Sequence, residues 1–459
     1  MSNSDHEGDH EAPTGQEERE ATPGEAFYLR LRSLLATFAH RQTEILRMSE
    51  YFAERDAELN DSKLRAKRSI ERHLQEEVDE DLLDRYLRVF ESYDELAVEN
   101  DETTRSEREI AFAEGLNAVG SELPKGIEST YVAAITRATR RSVGSRFLHS
   151  SLLTILVGEM EMFINQLARA CFEVRPGALD QGGRQLTWAT IAGCDSIDEV
   201  RDMVVDETID ELLRGSLLQW VEFFETRFGL DQIDAARTFE AIEATQRRHC
   251  IVHNAGHASQ QYLNKLSDFN VETKLNDLLD VDADYVETAA DSMFMIAYSL
   301  SWALAMKINP EPYWRDHFVT TFTNRTFFLL QEHRFELVQK IGETAPLKSL
   351  KGEKGEHCAF IIRVNRWIAL KEMGRFKTAR KEVEDLPVAN RSDDYKLAKH
   401  ALLDENEKAY EIAQRMIANG ELPESHLLTW PLLRGVRDYK RSLESVTSEL
   451  GAGSIAITD

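Results

Sequence analysis

Residues 246–256 read Gln-Arg-Arg-His-Cys-Ile-Val-His-Asn-Ala-Gly, with two arginines, two histidines and an asparagine in a short span. The apolar residues Phe239 and Ile242 precede this stretch at helical spacing, so it is predicted to form the last turns of an amphipathic helix. Asn-Ala-Gly is typical of a helix end, because glycine readily takes the left-handed conformation that closes a helix. Arginine fits phosphate oxygens as a forked cation and histidine exchanges protons near neutral pH. The stretch therefore favours phosphoryl chemistry.

The composition predicts a multidomain, largely helical protein with an acidic surface. The chain has 459 residues, enough for two to four domains, and a formal net charge of −26 from 81 acidic and 55 basic side chains. This charge opposes non-specific binding to nucleic acid or to anionic membranes. A bound RNA would therefore need a local basic site.

The cysteine pattern and the N-terminus indicate a reducing, cytoplasmic location. Cys171, Cys194, Cys250 and Cys358 are scattered and form no Cys-x-x-Cys pair, so neither a disulfide framework nor a zinc site is expected. The N-terminus is acidic and polar, without the apolar segment of a secretory signal. No apolar run approaches the roughly 20 residues that a membrane span needs. We therefore expect no membrane association.

The N-terminal third is predicted to be a disordered tail followed by long helices. Residues 1–24 are polar and acidic and contain too few large apolar side chains to fold. Residues 25–130 hold two long amphipathic runs, expected to pack as an antiparallel hairpin, and a third helix over Arg105–Val119. A basic segment at 63–68 could attract phosphate, but a solvated helix face paired with the many glutamates is favoured.

The most apolar helix of the chain is predicted over residues 150–172. Its sequence is too apolar for a surface helix, so we expect it to lie at the centre of a bundle. Two carboxylates, Glu159 and Glu161, interrupt it. Because an unpaired buried carboxylate is costly, at least one of them should meet a cation or a hydrogen-bond donor.

The remaining chain also has helical periodicity, so the fold class expected overall is all-α. Amphipathic helices are predicted over 209–228 and 285–308, and Asn309-Pro310-Glu311-Pro312 marks the clearest boundary because paired prolines end helices. Residues 313–450 read as short helical hairpins before a flexible tail at 451–459. Within them, residues 365–379 are similar to a tetratricopeptide turn, which implies a helical array whose concave face could bind a protein partner.

Arg248-His249-Cys250-Ile251-Val252-His253 resembles the Arg-polar-x-x-x-His motif of HEPN domains, the helical domains of many prokaryotic RNases. The longer run through Asn254 and Gly256 to Gln261-Tyr262-Leu263 is similar to a HEPN-like branch linked to phage defence or cell arrest. In that pattern the residue after the arginine is most often asparagine, whereas this chain has His249. The order of core helix, loop, helix and Arg–His helix resembles the family layout, and we assign residues 131–308 to a HEPN-like domain.

The resemblance implies a metal-independent endoribonuclease without a cofactor, acting as a homodimer with one composite cleft. In that picture His253 handles the proton of the ribose 2′-OH and Arg248 stabilises charge on the phosphorane. The family places a glutamate of the core helix opposite this motif, and Glu161 matches that position best. Arg247, His249 and Asn254 would orient these groups or the RNA substrate.

Two other hypotheses stay open at the level of sequence. His249, His253 and His257 would align on a continuous helix and could hold zinc, although Asn254-Ala255-Gly256 is predicted to break the helix before His257. Alternatively, Arg248 and His253 form a satisfied polar cluster in a non-catalytic HEPN scaffold or sensor. Such a protein would recruit another protein through its C-terminal helices.

Overall fold

The computed structural model describes residues 21–55, 58, 61–75, 77–95, 102–123, 126–139, 144–179, 185–347 and 350–453. The predicted disordered tail at 1–24 lies almost wholly outside these ranges. Within them the secondary structure is helical apart from one isolated bridge between His257 and Leu278, which confirms the all-α fold class.

The α-helices follow one another in this order: α1 Pro23–Glu54, α2 Ser62–Leu74, α3 Glu80–Glu95, α4 Glu102–Gly120, α5 Glu128–Thr139, α6 Gly144–Val174, α7 Trp188–Ala192, α8 Ile197–Leu213, α9 Leu217–Phe228, α10 Phe239–His253, α11 Gln260–Lys265, α12 Ala283–Ile308, α13 Pro312–Gln331, α14 Phe335–Thr344, α15 Gly352–Glu372, α16 Arg380–Glu384, α17 Asp393–Leu402, α18 Asn406–Ala418, α19 Glu424–Thr429 and α20 Arg434–Gly453.

Helix α1 belongs to the main core of the protein. The Thr22 side chain caps its first turn by accepting from the Glu25 amide, and Pro23 stands at the first helical position, where its missing N–H costs nothing. Phe27, Leu31 and other residues at helical spacing are buried against α6, α12 and α13. The expected hairpin between α1 and the following run is therefore not found.

Helices α2–α5 form a separate four-helix module between α1 and α6. Its own core includes Ile70, Leu83, Tyr86 and Ile135, so α5 lies with the N-terminal helices rather than in the region assigned to the HEPN-like domain. The second predicted long helix is broken into α2 and α3, because Gln75 ends α2 in the left-handed conformation.

The basic side chains at the start of α2 lie on a helix face and pair with acidic side chains. Lys63 Nζ lies 2.7 Å from Asp84 Oδ1, and Lys67 pairs with Glu80, which confirms the favoured prediction. Where the chain returns to the main body, the His149 Nε2 atom of α6 lies 3.2 Å from the Ser49 carbonyl oxygen of α1. The contact therefore holds the C-terminal part of α1 close to the start of α6, on either side of the inserted module.

Helix α6 is the centre of the main core. It packs against α1, α8, α10 and α12, as the apolar sequence of residues 150–172 predicts. Of the described helices, it alone is long and apolar enough to cross a membrane, with 44% of its most apolar window buried in the protein. Packing on several neighbours is the usual setting of a core helix in a soluble protein.

The junction at Asn309–Pro312 ends α12 and starts α13, as predicted, but the core continues across it. Asn309 is fully buried and donates through Nδ2 to the Gly24 carbonyl oxygen at 3.2 Å. Apolar side chains of α13–α20 join the same cluster as those of α6 and α12. The short hairpins of the C-terminal region therefore share one core with the preceding helices.

A buried ion pair holds the start of α14 against α12. Arg334 Nε donates to Asp291 Oδ1 at 2.9 Å, and Arg334 Nη1 donates to Gln42 Oε1 at 3.1 Å. All three side chains are buried, and Gln42 donates in turn to the Ala290 carbonyl oxygen. Hydrogen bonds to both neighbours satisfy the guanidinium in the interior.

Candidate functional site

The Arg–His stretch forms the end of helix α10, as the sequence predicts. Thr238 caps the start of the helix by accepting from the Ala241 amide at 3.3 Å. At the other end the Asn254 amide donates to the Cys250 carbonyl oxygen, and Gly256 follows with a positive φ of 81°. The helix therefore stops at His253 and turns sharply.

Arg248 meets Glu161 where α10 crosses the central helix α6. The Arg248 Nη2 atom lies 3.4 Å from Glu161 Oε1, and the two side chains are 28% and 35% exposed. Arg248 Nε is buried and finds no hydrogen-bond partner among the described residues. The Nη2 contact is long and the side chain is partly exposed, so an additional anion could approach the guanidinium away from the buried Nε.

Both carboxylates that interrupt the apolar helix α6 meet an arginine. Glu159 accepts from Arg41 Nη1 of α1 at 2.5 Å, while Glu161 faces Arg248 of α10. The expectation that at least one would be paired is therefore confirmed. The two glutamates therefore lie on different faces of α6, Glu159 towards α1 and Glu161 towards α10.

The two histidines of the motif lie against each other at the end of α10. The ring centroids of His249 and His253 are 4.7 Å apart, and His253 is exposed to solvent. Burial, together with electrostatic repulsion from His253 and Arg248, lowers the pKa of His249 below its ordinary value of 6.5. His249 is therefore a neutral imidazole at neutral pH, able to accept a proton or a hydrogen bond.

His257 does not continue the row of imidazoles. It lies beyond the turn at Gly256, where it pairs with Leu278 in the isolated bridge. The predicted break before His257 is confirmed, and the three histidines do not share one helix face. In the part of the chain that the structure describes, no group of three or more His, Cys, Asp or Glu side chains is placed to hold a metal ion.

Arg247 is directed away from Arg248 into a cluster with Glu243, Tyr262 and Tyr285. Its Nε donates to Glu243 Oε1 at 2.7 Å, and its guanidinium lies 4.1 Å from the centre of the Tyr285 ring. Glu243 is buried and also accepts from the hydroxyls of Tyr262 and Tyr285. These contacts hold α10 against α11 and α12, so Arg247 positions the helix that carries the motif.

Asn254 acts locally on the turn that follows α10. Its Nδ2 donates to the His257 carbonyl oxygen at 2.7 Å, which fixes the reversal of the chain. The residue is exposed next to His253. It therefore shapes the turn that ends the helix.

Arg146 is a further cation at this end of α10 and was not among the predicted site residues. It opens α6, and its Nη2 atom lies 3.5 Å from the position that a side chain on Gly256 would occupy. Its Nε pairs with Asp280 Oδ1 at 3.1 Å. Because Arg146 is distant in sequence from the motif, only the antiparallel packing of α6 on α10 brings it here.

An apolar strip of α6 is exposed beside the Arg248–Glu161 pair. Phe147, Ile155 and Met162 recur at helical spacing with exposures of 63%, 49% and 45%, and Val252 of α10 is also exposed. The strip lies between the side of α6 that contacts α10 and the side that contacts α1. Exposed large apolar residues aligned on one face are typical of a surface covered by another molecule.

Comparison of the chain with protein-family models, with curated proteins and with solved structures finds no match in any of the three.

Proposed function

We propose that the protein is a metal-independent endoribonuclease of HEPN type. The observation that carries the proposal is the meeting of Arg248 with Glu161 of the central helix, with the exposed His253 five residues, about 1.4 turns, further along α10. This is the set of groups that the resemblance of residues 248–253 implies. A cation for the phosphate and an imidazole for the proton stand at one helix end, open to solvent.

The chemistry would proceed by transfer of the phosphoryl group within the RNA chain. The ribose 2′-oxygen attacks the adjacent phosphorus while His253 accepts the 2′-OH proton. The bond from phosphorus to the 5′-oxygen breaks, and the leaving oxygen takes up a proton, giving a 2′,3′-cyclic phosphate and a 5′-OH end. Arg248 would stabilise the added negative charge on the phosphorane, a contribution of roughly 10²–10³ in rate for one preorganised donor.

The site would be completed by a second copy of the chain. HEPN-type nucleases are dimers in which two Arg–His helices face each other, and the exposed strip Phe147–Ile155–Met162 offers an apolar face directly beside Arg248 and Glu161. Burial of this strip against its symmetry mate would bring the two helix ends together and exclude water from the cleft.

The acidic charge of the chain restricts where RNA can bind. With a net charge of −26, most of the surface repels a phosphate backbone, whereas Arg146 and Arg248 bring two cations to the end of α10. Because each of these arginines also pairs with a carboxylate, Asp280 or Glu161, RNA would compete with that carboxylate, and its binding at this place would weaken as salt rises. We further propose, from the family resemblance, that cleavage takes place in the cytoplasm as part of a defence or stress response.

The test compares wild-type protein with His253→Ala and Arg248→Ala on structured and unstructured RNA, each with and without a chelator. We expect wild-type to release 2′,3′-cyclic phosphate ends with or without the chelator, and each variant to lose at least about 100-fold in rate. His426→Ala, at an exposed histidine of α19, is the matched control and should cleave normally. Equal cleavage by wild-type and His253→Ala would reject the assignment.

A non-catalytic HEPN-like scaffold is the second candidate. It is favoured by the contacts that already occupy the motif, since Arg248 contacts Glu161 and Arg247 is enclosed by Glu243 and Tyr285. In that case the C-terminal helices would recruit a protein partner. A stable dimer that cleaves no RNA, and whose dimerisation is lost in Ile155→Asp, would support this reading over the nuclease.

A further inference from the structure

A pocket of about 430 Å³ lies between α1 and α13, beside the first turn of α15. One wall is the face of α13 that runs from His317 to Phe328, and the other is the part of α1 from Tyr28 to Ala36. None of the residues that line the pocket belongs to α6 or α10, so it is separate from the Arg–His site. Its volume is in the range of sites that hold a small molecule.

The lining of this pocket is basic, although the chain as a whole carries a net charge of −26. Arg32, Arg325 and Lys354 contribute to the lining, and no carboxylate does. In the part of the chain that the structure describes, none of these three cations forms an ion pair. Like charges that share a pocket without a counter-ion repel one another. The pocket therefore favours an anion.

Arg325 is the residue that points most directly to a ligand. It is half-buried on α13, yet it makes no hydrogen bond or ion pair with the described residues, and its guanidinium lies 5.6 Å from the centre of the Phe328 ring. Burial lowers the pKa of Arg325 below its ordinary value of 12.5, and attraction by Glu332 does not offset this effect. None of its nitrogen atoms is fully buried, so a ligand in the pocket can reach its donors.

Arg334 differs from Arg325 in how its guanidinium is satisfied. Arg334 lies in the core, where Asp291 and Gln42 accept its hydrogen bonds. Arg325 has neither kind of partner, and withdrawing a guanidinium from water without one is unfavourable. A phosphate group would accept two parallel hydrogen bonds from the fork of Arg325 and would neutralise its charge.

The remaining lining residues favour a ligand with an apolar body. Phe328 is 47% exposed, and Leu35 and Ala36 add aliphatic surface from α1. Asn324, exposed next to Arg325, contributes an amide that can donate to an oxyanion. The pocket thus combines cations and an amide for an anionic group with an aromatic ring for the rest of the molecule.

Acidic neighbours confine the basic surface to the pocket. Asp316 directly precedes His317, and Glu353 directly precedes Lys354, and both carboxylates are exposed. A nucleic-acid strand needs cations along several consecutive phosphates. A small ligand with one phosphate group is therefore favoured over RNA.

We propose that the pocket between α1 and α13 binds a small phosphate monoester with an aromatic body. Arg325 and Arg32 donate to the phosphate oxygens, Lys354 adds positive charge, and the ring packs on Phe328. Such a ligand joins α1 to α13 and α15. Its binding does not depend on whether the Arg–His site cleaves RNA.

The test uses phenyl phosphate as the probe, with phenol as the counterpart without the phosphate and inorganic phosphate as the counterpart without the ring. Calorimetric titration of the full chain should show saturable binding of phenyl phosphate, about tenfold or more tighter than either counterpart and weaker at high salt. A single-stranded DNA oligonucleotide, which has no 2′-OH to attack the phosphate, should not displace the probe. Displacement by the oligonucleotide would assign the pocket to nucleic acid and overturn the proposal.

Variants locate the binding in the pocket. Arg325→Gln should weaken phenyl phosphate about tenfold or more and Arg32→Gln about threefold or more, because each removes a charged donor. Arg47→Gln, at an exposed position of α1 outside the pocket, is the matched control and should bind normally.

The stability of Arg325→Gln separates a binding role from a structural one. Because Arg325 has no partner to lose, this variant without ligand should have the same Tm as wild-type or a higher one, with circular dichroism confirming the fold. A markedly lower Tm would make Arg325 a structural residue and overturn the proposal. Absence of saturable binding to wild-type, unchanged affinity in folded Arg325→Gln, or equal affinities for phenyl phosphate and phenol would overturn it as well.

Discussion

Glu161 and Arg248, 87 positions apart in the chain, face each other across the contact between α6 and α10 at 3.4 Å. The pair joins the most apolar helix of the protein to the helix that carries the Arg–His motif. Since both side chains are about one-third exposed, solvent screens their attraction.

The strength of this pair can be measured with a double-mutant cycle. Glu161→Gln and Arg248→Gln should each lower the free energy of unfolding by no more than about 1 kcal/mol, with a coupling energy of roughly 0.5 kcal/mol that shrinks at high salt. Urea unfolding of the four proteins gives these values. A coupling above about 2 kcal/mol would mean that the pair is mainly structural and would count against a role in binding phosphate.

Stability should depend on pH through His249. Its pKa is lowered in the folded protein, so between the folded value and the ordinary 6.5 the unfolded chain binds more protons. Its contribution to stability is therefore complete above pH 6.5 and is lost as the pH falls through the folded pKa. Wild-type should lose more free energy of unfolding than His249→Asn between pH 7.5 and 5. Parallel pH profiles for the two proteins would contradict the partly buried setting of His249 beside Arg248.

Glu243 should be far more important for stability than its neighbour Glu240 on the same helix. Glu243→Gln removes the buried charge that pairs with Arg247 and accepts from Tyr262 and Tyr285, so we expect a loss of about 3 kcal/mol. Glu240→Gln, at an exposed position, should cost about 0.5 kcal/mol or less. Similar losses in the two variants would show that the cluster does not hold α10 in place.

The buried pair of Arg334 and Asp291 should be the most sensitive of the tested contacts to truncation. Asp291→Ala leaves the guanidinium without its carboxylate inside the core, and we expect a loss of about 3–5 kcal/mol. The exposed pair Arg30–Glu173 is the control, where Glu173→Ala should cost less than about 1 kcal/mol. Denaturant unfolding measures the loss in free energy of unfolding for both variants. Equal losses would show that burial does not make the Arg334–Asp291 pair more important for stability than the exposed pair.

Helices and their ends could be predicted largely from the sequence, because caps, glycines and apolar spacing act locally. The end of α10 at His253 and the junction at Asn309–Pro312 are examples. The neighbour of each helix could not be predicted in the same way. The apolar stripe of α1 indicates that one face of this helix is buried. It does not indicate that α6, α12 and α13 cover this face rather than α2.

The residues of the candidate site likewise include some that the sequence could predict and some that it could not. That at least one of Glu159 and Glu161 would meet a cation or a donor followed from the cost of an unpaired carboxylate in an apolar helix, and the pairing of Glu161 with the Arg–His motif came from the family resemblance. Arg146 was missed, since nothing local marks a residue that tertiary packing carries to the motif. The structural role of Arg247 could have been predicted from Glu243, because a glutamate four positions earlier on the same helix is placed to pair with an arginine.

The inserted module has a consequence for the order in which the protein matures on the ribosome. In the part of the chain that the structure describes, the buried core of α2 to α5 is built from residues between 66 and 138, so this core can close as soon as that length has emerged. Helix α1 is synthesised first but must wait for α6, α12 and finally α13, and the junction before α13 binds Gly24 through Asn309 and Glu311. Part of its apolar face stays uncovered until α12 and α13 have also emerged, which makes α1 the segment that chaperones would need to shield.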